Sequence, residues 1–521
     1  MSGRTLLLVL TLFFAGCGRP DPGGAPDLLS GLESYEHLPG YFDLYWDENE
    51  GRLIVRIDRF DDEFLYQSSM ARGVGSNDIG LDRGQLGATR VVRFQRSGPK
   101  ILLIEENLGY RAVSDDADEQ AAVAESFATS VVWGFEALGE RDGAVFVDAT
   151  DFLLRDAHSV SARLADMGEG TFKPDASRSA IYMPMTKAFP DNTEMEAIVT
   201  FTGEATGRFL PTVLPDWQTV SVHLHHSFIR LPDDNYEPLP LDPRSGFFGA
   251  GFLDYASPVG ESLQSSYAAR HRLQKADPSA ASSAAVEPIV YYVDRGAPEP
   301  IRTALLEGAR WWDQAFEAAG YENAFQVELL PEGADPMDVR YNIIQWVHRS
   351  TRGWSYGGSV RDPRTNEIMK GKVTLGSLRV RQDYLIAEGL LAPYDDEEKP
   401  NAMMEMALAR IRQLSAHEVG HTLGIQHNMA ASTQGRSSVM DYPHPLIRIG
   451  DDGRIDISQA YAEGIGEWDK RVIIWGYQDF PEGTDRRAAR EQIMADTIDA
   501  GFVYVSDPDS RPVSSAHPLG N

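Results

Sequence analysis

His417, Glu418, His421 and His427 stand in the run HEVGHTLGIQH, which has the form HExxHxxGxxH. Residues four apart on a helix share a face, so His417 and His421 can aim two imidazole nitrogens at one point. A third histidine on the same helix would lie along its axis and leave little room for substrate. Gly424 offers a way out, because glycine takes positive φ at no steric cost, and His427 can then return from another direction. Three neutral imidazoles suit Zn2+ and leave one tetrahedral position open, the arrangement of a catalytic rather than a closed structural site. Such a site brings the pKa of bound water to about 7 and polarises a carbonyl. Glu418, beside the first histidine, is placed to take the water proton and pass it to a leaving amine. It is expected as the base and not as a ligand. Peptide-bond hydrolysis with one catalytic zinc ion is the chemistry these residues predict.

Thirteen residues beyond His427 lies Met440, within Ser438-Val-Met-Asp-Tyr-Pro443. The extended motif followed by this turn resembles the metzincin zinc peptidases. The resemblance implies that Met440 packs under the histidines as a soft thioether floor and does not bind metal. It also places Tyr442 where the astacin and serralysin branches carry a tyrosine that reaches the metal. Tyr442 would then be a fifth ligand that swings away and donates a hydrogen bond to the tetrahedral oxyanion.

Four further stretches sharpen the likeness. GYFDLY (residues 40–45), SYGGSVRDPRTNEIMKG (355–371), HNMAAS (427–432) and GIGEWDKRVIIWGY (464–477) together look like a family of exported bacterial zinc-dependent metalloproteases. Its members pair domains of unknown function with a metzincin domain, and the likeness covers nearly all of the mature chain. It implies a β-rich accessory or prodomain-like module ahead of the peptidase. It also implies that residues 481–521 begin a C-terminal helical extension that is incomplete here. The mature chain offers no cysteine for a cysteine-switch form of latency.

Arg4 precedes an apolar run from Leu6 to Phe14, and Ala15-Gly16-Cys17 follows. This is the layout of a secretory signal, too short to span as a permanent helix. Phe14-Ala-Gly-Cys17 resembles a bacterial lipobox, and Cys17 is the single cysteine, so no intrachain disulfide can form. Cys17 is therefore the predicted lipid acceptor, and Gly18 after it resembles lipoproteins sent on to the outer membrane. No later stretch approaches eighteen continuous apolar residues. With 521 residues, 42% hydrophobic and 24% charged, the composition suits a folded protein of about three domains. A formal charge of −30 argues against nucleic acid and other polyanions as partners. The expected partners are a polypeptide substrate and a membrane reached through the lipid on Cys17.

These signals predict an α+β chain. A signal peptide (1–17) and tether (18–35) precede a β-rich region (36–275). A small-residue linker, ADPSAASSAAVEP (276–288), leads to a metzincin-like catalytic domain (289–480) with a mixed sheet, an active-site helix and the Met turn. In the β-rich region LIVRI, EFLYQSS, TRVVRFQR and KILLIEE read as strands, as do stretches near Ile181–Met185 and Ala197–Thr202. Ala71–Gly87 is glycine-rich but opens no helix, so it reads as a long loop and not as a phosphate cradle. Glu119–Leu138 has helical spacing. Thr219–Phe228 alternates, with Val220, Val222, Leu224, His226 and Phe228 on one face. His223 and His225 share the other, expected to be a solvated face because no carboxylate or third histidine is near in sequence.

Beyond the linker, IVYYVD, AFQVELL and RYNIIQWVHR read as strands. Pro300–Ala319 reads as a helix with the stripe Leu305, Ala309, Trp312 and Phe316. Gly357–Gly376 reads as a hairpin turning at Pro363–Asn366, its part from Ile368 to Leu375 forming the cleft's edge strand, ready to pair with extended peptide. Met403–Ser415, rich in helix formers, supplies the helix that carries the first two histidines. The acidic runs Asp115–Glu119 and Asp395–Glu398 read as solvated loops. A lipid-anchored surface binding or scaffold protein with a vestigial zinc domain is the rival reading. Glu418 counts against it, since a scaffold has no need of a base beside the first histidine.

Overall fold

The structure, a computed structural model, describes Leu29 and residues 31–392 and 399–511. The expected signal segment with Cys17, the acidic run at 395–398 and the chain beyond 511 lie outside the described residues. Among the described residues no helix is long and apolar enough to cross a membrane.

The N-terminal half is built on one large antiparallel sheet. Its main strands are β1 (Glu36–Leu38), β2 (Leu44–Asp47), β3 (Arg52–Ile57), β4 (Phe64–Arg72), β5 (Leu86–Ser97), β6 (Lys100–Glu105), β7 (Ser130–Arg141), β8 (Ala144–Asp148), β9 (Gly170–Pro174), β10 (Asn192–Ala205) and β11 (Thr219–Arg230), and two-residue strands at Ala180–Ile181 and Lys187–Ala188 also pair with β10. The main strands lie in the order β1-β2-β3-β8-β7-β6-β5-β4-β11-β10-β9. Alternation sends Leu53, Val55, Phe64, Phe94, Val220, Val222, Leu224 and Phe228 into one core. At its centre Phe64 packs against Phe42, Phe94 and Phe228 with ring centroids 5.1–5.2 Å apart, in tilted and edge-on contacts that suit aromatic quadrupoles.

Three expectations fail here for physical reasons. Helical spacing holds only across α1 (Ala117–Ser126). From Ser130 the chain is strand β7, because the β-branched Val131 and Val132 complete the ladder between β6 and β8. Near Ile181 the strand is only two residues long and gives way to a 3-10 turn at Met183–Met185, where Pro184 can donate no ladder bond. His223 and His225 are not on a solvated face. Both are 5% exposed and face Glu194 and Glu196 of the neighbouring strand β10. The missing carboxylates are close in space but distant in sequence.

After β11 the chain reaches a second, mostly parallel sheet. It comprises β12 (Arg270–His271), β13 (Ile289–Val293), β14 (Phe325–Leu329), β15 (Asn342–Val347), β16 (Tyr356–Arg361) and β17 (Glu367–Gly376). β17 pairs in parallel with β12 and β15, while β16 returns antiparallel along it. The hairpin turns where expected, but its outer strand is β16; β17, proposed as the edge, is interior. The hairpin forces this, because β17 must adjoin β15 and its partner is left outside.

The predicted helix at 300–319 is two helices, α2 (Ile301–Arg310) and α3 (Asp313–Ala318), and the whole apolar stripe is buried. Beyond α4 (Leu378–Leu391), α5 (Lys399–Thr422) crosses α2 so closely that a Cβ on Gly308 would meet Arg412 O at 2.0 Å. α6 (Glu467–Tyr477) and α7 (Arg486–Asp499) complete the layer.

The two halves are sewn together. β12 leaves the β-rich region yet pairs with β17, and Ser283–Ala284 pairs with Tyr321–Glu322. Arg111 donates to the carbonyls of Pro363 and Arg364, both at 2.6 Å. The nearly buried Asp82–Arg349 ion pair, at 2.9 Å, ties the glycine-rich loop to the segment after β15. A chain reduced to residues 289–511 is therefore expected to lose cooperative thermal unfolding, which the full chain should show by circular dichroism.

Candidate metal centre and active site

α5 presents His417 and His421 on one face and stops immediately afterwards. Gly424 N–H donates to His421 O (3.1 Å) and Ile425 N–H to Gly420 O (3.0 Å), with Gly424 at φ +96°. This is a Schellman ending, which needs the left-handed conformation glycine provides. A Cβ on Gly424 would also meet Ala269 O at 1.8 Å. A strap from the β-rich side grips the loop beyond: Phe248 N–H donates to Gly424 O and Gln426 N–H to Gly246 O, each at 2.7 Å.

The loop returns His427 to the other two histidines, and one ring nitrogen from each lies within 4.8 Å of the others. Each Nδ1 donates outward: His417 to Val439 O (2.8 Å), His421 to Ile425 O (2.8 Å) and His427 to Asp507 Oδ2 (2.7 Å). With Nδ1 protonated, each Nε2 keeps a lone pair for the common point. His421 Nε2 and His427 Nε2 are 3.1 Å apart. Two unprotonated nitrogens that close repel unless they share a cation, so the donor set fits Zn2+. Burial, together with the neighbouring rings of His421 and His427, holds the pKa of His417 well below the ordinary histidine value. The neutral, metal-binding form is thereby favoured.

Glu418 is buried on the next helical position. Burial pushes its pKa up to about 8, against the pull of the Arg410 charge and a hydrogen bond from Gly357 N–H. Gly357 lies in β16, where a Cβ would come within 2.3 Å of Glu418 O. The edge strand can thus approach the helix only through glycine. Tyr442 Oη is 2.8 Å from His427 Nε2, so the phenol lies at the histidine cluster on its exposed side.

Met440 is fully buried beneath α5, against Gly420 and Trp312. Asp469 of α6 clamps the turn that carries it. Its Oδ1 accepts from Ser438 Oγ (2.5 Å) and its Oδ2 from Val439 N–H (2.8 Å) and Gly466 N–H (3.0 Å). Val439 in turn accepts from His417, so one carboxylate fixes both the Met turn and the first histidine. Asn428 accepts from Val505 N–H (3.1 Å) and donates to Val503 O (3.0 Å), which brings Asp507 to His427. Although burial acts to raise it, the Asp507 pKa is held below the ordinary carboxylate value by His427 and Arg511.

The structure brings His417, Glu418, His421, Gly424, His427, Met440 and Tyr442 together. Sequence reasoning missed Gly357, Gly420, Asp469 and Asp507. Asp469 lies in the first turn of a helix and Asp507 just after the N-cap Ser506, positions where an acidic residue ordinarily serves the helix itself. Nothing local shows that either one supports the histidines.

Gly420→Ala would place a Cβ 2.3 Å from Met440 Sδ and 2.6 Å from Trp312 Cζ2. It should cost about 1–3 kcal/mol by overpacking, read from denaturant unfolding of the metal-free protein. Asp507→Asn replaces the carboxylate on His427 by a neutral amide and should weaken zinc affinity by about 10–100-fold, measured by competition with a chromophoric chelator.

Residues 84–276 match a family described as a domain of unknown function (DUF5117), and residues 399–521 match one described as Met-zincin. No curated protein and no solved structure shows a significant match. The chain thus joins a strand-rich N-terminal region to a metzincin-like domain with three clustered histidines.

Proposed function

We propose that the protein is a zinc-dependent endopeptidase in which His417, His421 and His427 hold one catalytic zinc ion and Glu418 is the general base. The observation that carries this reading is a buried carboxylate next to three imidazoles whose free nitrogens converge. When bound there, zinc supplies Lewis-acid polarisation of the scissile carbonyl and acidifies water. The chain's own residues account for the rest. Extended substrate lies along the outer edge of β16, whose only ladder partner among the described residues is β17. Glu418 accepts a proton from water and delivers it to the departing amine; burial gives it the proton affinity that both roles need. Tyr442 leaves His427 and donates its hydroxyl hydrogen bond to the developing oxyanion. Met440 and Asp469 keep His417 from tilting as charge shifts. The signal-like start and Cys17 support export and lipid anchoring in the bacterial envelope, with polypeptide as the substrate.

A quenched peptide library is the direct test. Wild type should bind about one zinc per chain and cleave, with chelation abolishing activity. Glu418→Ala should keep the metal and lose activity by about 10³-fold or more. Cleavage unchanged in Glu418→Ala would overturn the assignment; zinc without any cleavage would favour the scaffold reading. Tyr442→Phe should lower kcat about 10²-fold with little change in KM, and an unchanged kcat would remove Tyr442 from the reaction.

A further inference from the structure

The face of β10 and β11 turned away from the aromatic core meets β17 of the second sheet across a cavity of about 140 Å3. Glu194, Glu196 and His225 line one side, Lys370 and Lys372 the other, and Arg83 of the glycine-rich loop stands at the rim. His225 sits between two carboxylates, with Nε2 2.5 Å from Glu194 and Nδ1 3.3 Å from Glu196. His223 Nδ1 takes the other oxygen of Glu196 at 2.6 Å. Glu194 also accepts from Asn192 Nδ2 (2.5 Å) and from Ser227 Oγ. Burial works against charge on His225, but the two carboxylates outweigh it and raise its pKa.

Glu194 is taken up by His225, Asn192 and Ser227 and one oxygen of Glu196 by His223, while the other Glu196 oxygen has no hydrogen bond; the lysines gain only the longer-range attraction of Glu194. Lys370 Nζ donates to the carbonyls of Pro336 (2.6 Å) and Asp338 (2.9 Å). The nearby carboxylates Asp335 and Asp338 are each paired already, with Lys187 and Arg340. Lys372 has no hydrogen-bond or ion-pair partner among the described residues, and the buried Oε1 of Gln345 beside it has none either. Burial, with the Arg83 charge, pulls the Lys372 pKa down to about 8 against the attraction of Glu194. With the histidines left out of the count, three cationic groups (Arg83, Lys370 and Lys372) still face two carboxylates. Water could fill the space with about four molecules, but it cannot neutralise the excess, and unmatched charge in a low-dielectric site is costly.

We propose that this cavity is a binding site for a small oxyanion, held by Lys372, Lys370 and Arg83, whose presence fastens the β-rich region onto the catalytic sheet. Gln345 joins as a donor with its amide turned, an orientation that heavy-atom positions leave open. Phosphate, sulfate and a small carboxylate share the required chemistry. The site is separate from the histidine cluster and does not depend on peptidase activity. Its bearing on the active site runs through one ladder: Lys372 is paired with Gly358, the neighbour of the glycine that contacts Glu418.

The test is thermal unfolding of the full chain in chloride, phosphate, sulfate or acetate at constant ionic strength, with calorimetric titration of the same anions. Wild type should gain several degrees in a binding anion, and Lys372→Met should gain almost none. In chloride Lys372→Met should melt above wild type, because an unmatched charge has been removed. Arg83→Gln, at an exposed position where substitutions change stability little, should lose part of the anion-dependent gain. A gain with phosphate and sulfate alone assigns a tetrahedral oxyanion; one with acetate as well admits carboxylates. An equal gain in wild type and both variants would be the general stabilisation such salts give any fold. That result, or the absence of both shift and calorimetric binding, would overturn the proposal.

Discussion

Everything at the centre of this molecule answers one electrostatic problem. Three imidazole lone pairs are made to point at one another, and nothing about that is favourable without a cation. The Nδ1 protons hold the rings there, each anchored to an acceptor that cannot follow if the ring turns: Val439 O, Ile425 O and Asp507. Those acceptors belong to three different segments, and each segment has its own fastening. Asp469 fixes the first, the Schellman ending at Gly424 the second, and Asn428 the third. A histidine cluster that reads as eleven consecutive residues is, physically, a junction of four parts of the chain.

This division explains what was legible in the sequence. The helix, the break at Gly424 and the return of His427 follow from local periodicity and from the one residue that tolerates positive φ, so they could be read directly. The hairpin at 357–376 was equally visible from its turn residues. Which of its strands lies outside was not, because that depends on β15 pairing from another part of the chain. Asp507 could not be linked to His427 across 80 residues. His223 and His225 illustrate the same limit. Their strand was placed and its faces divided correctly, but the carboxylates that bury them arrive on the preceding strand, about thirty residues upstream. The failed helix at 119–138 shows the converse, a local preference overridden when strands on both sides offered their ladders.

The strand-rich N-terminal region and the histidine-bearing region differ in topology but share energetics. Separate hydrophobic cores fill the two halves, yet a strand of the first belongs to the sheet of the second. Charges at the boundary are buried, not rinsed by solvent, so the contact behaves as interior rather than as a surface between two independent bodies.

The carbonyl of Ala269 pressed against Gly424, with the strap at 246–248 alongside, limits how such a protein could be held silent and then released. Proteolytic removal of a preceding segment is one way in which a restrained protein is released. Here, any cut that carried away residues 246–269 would unhook the bend that returns His427, discarding the third arm of the cluster with the restraint. A protease that matured this chain would have to nick it upstream of Gly246 and leave the strap behind as a permanent graft.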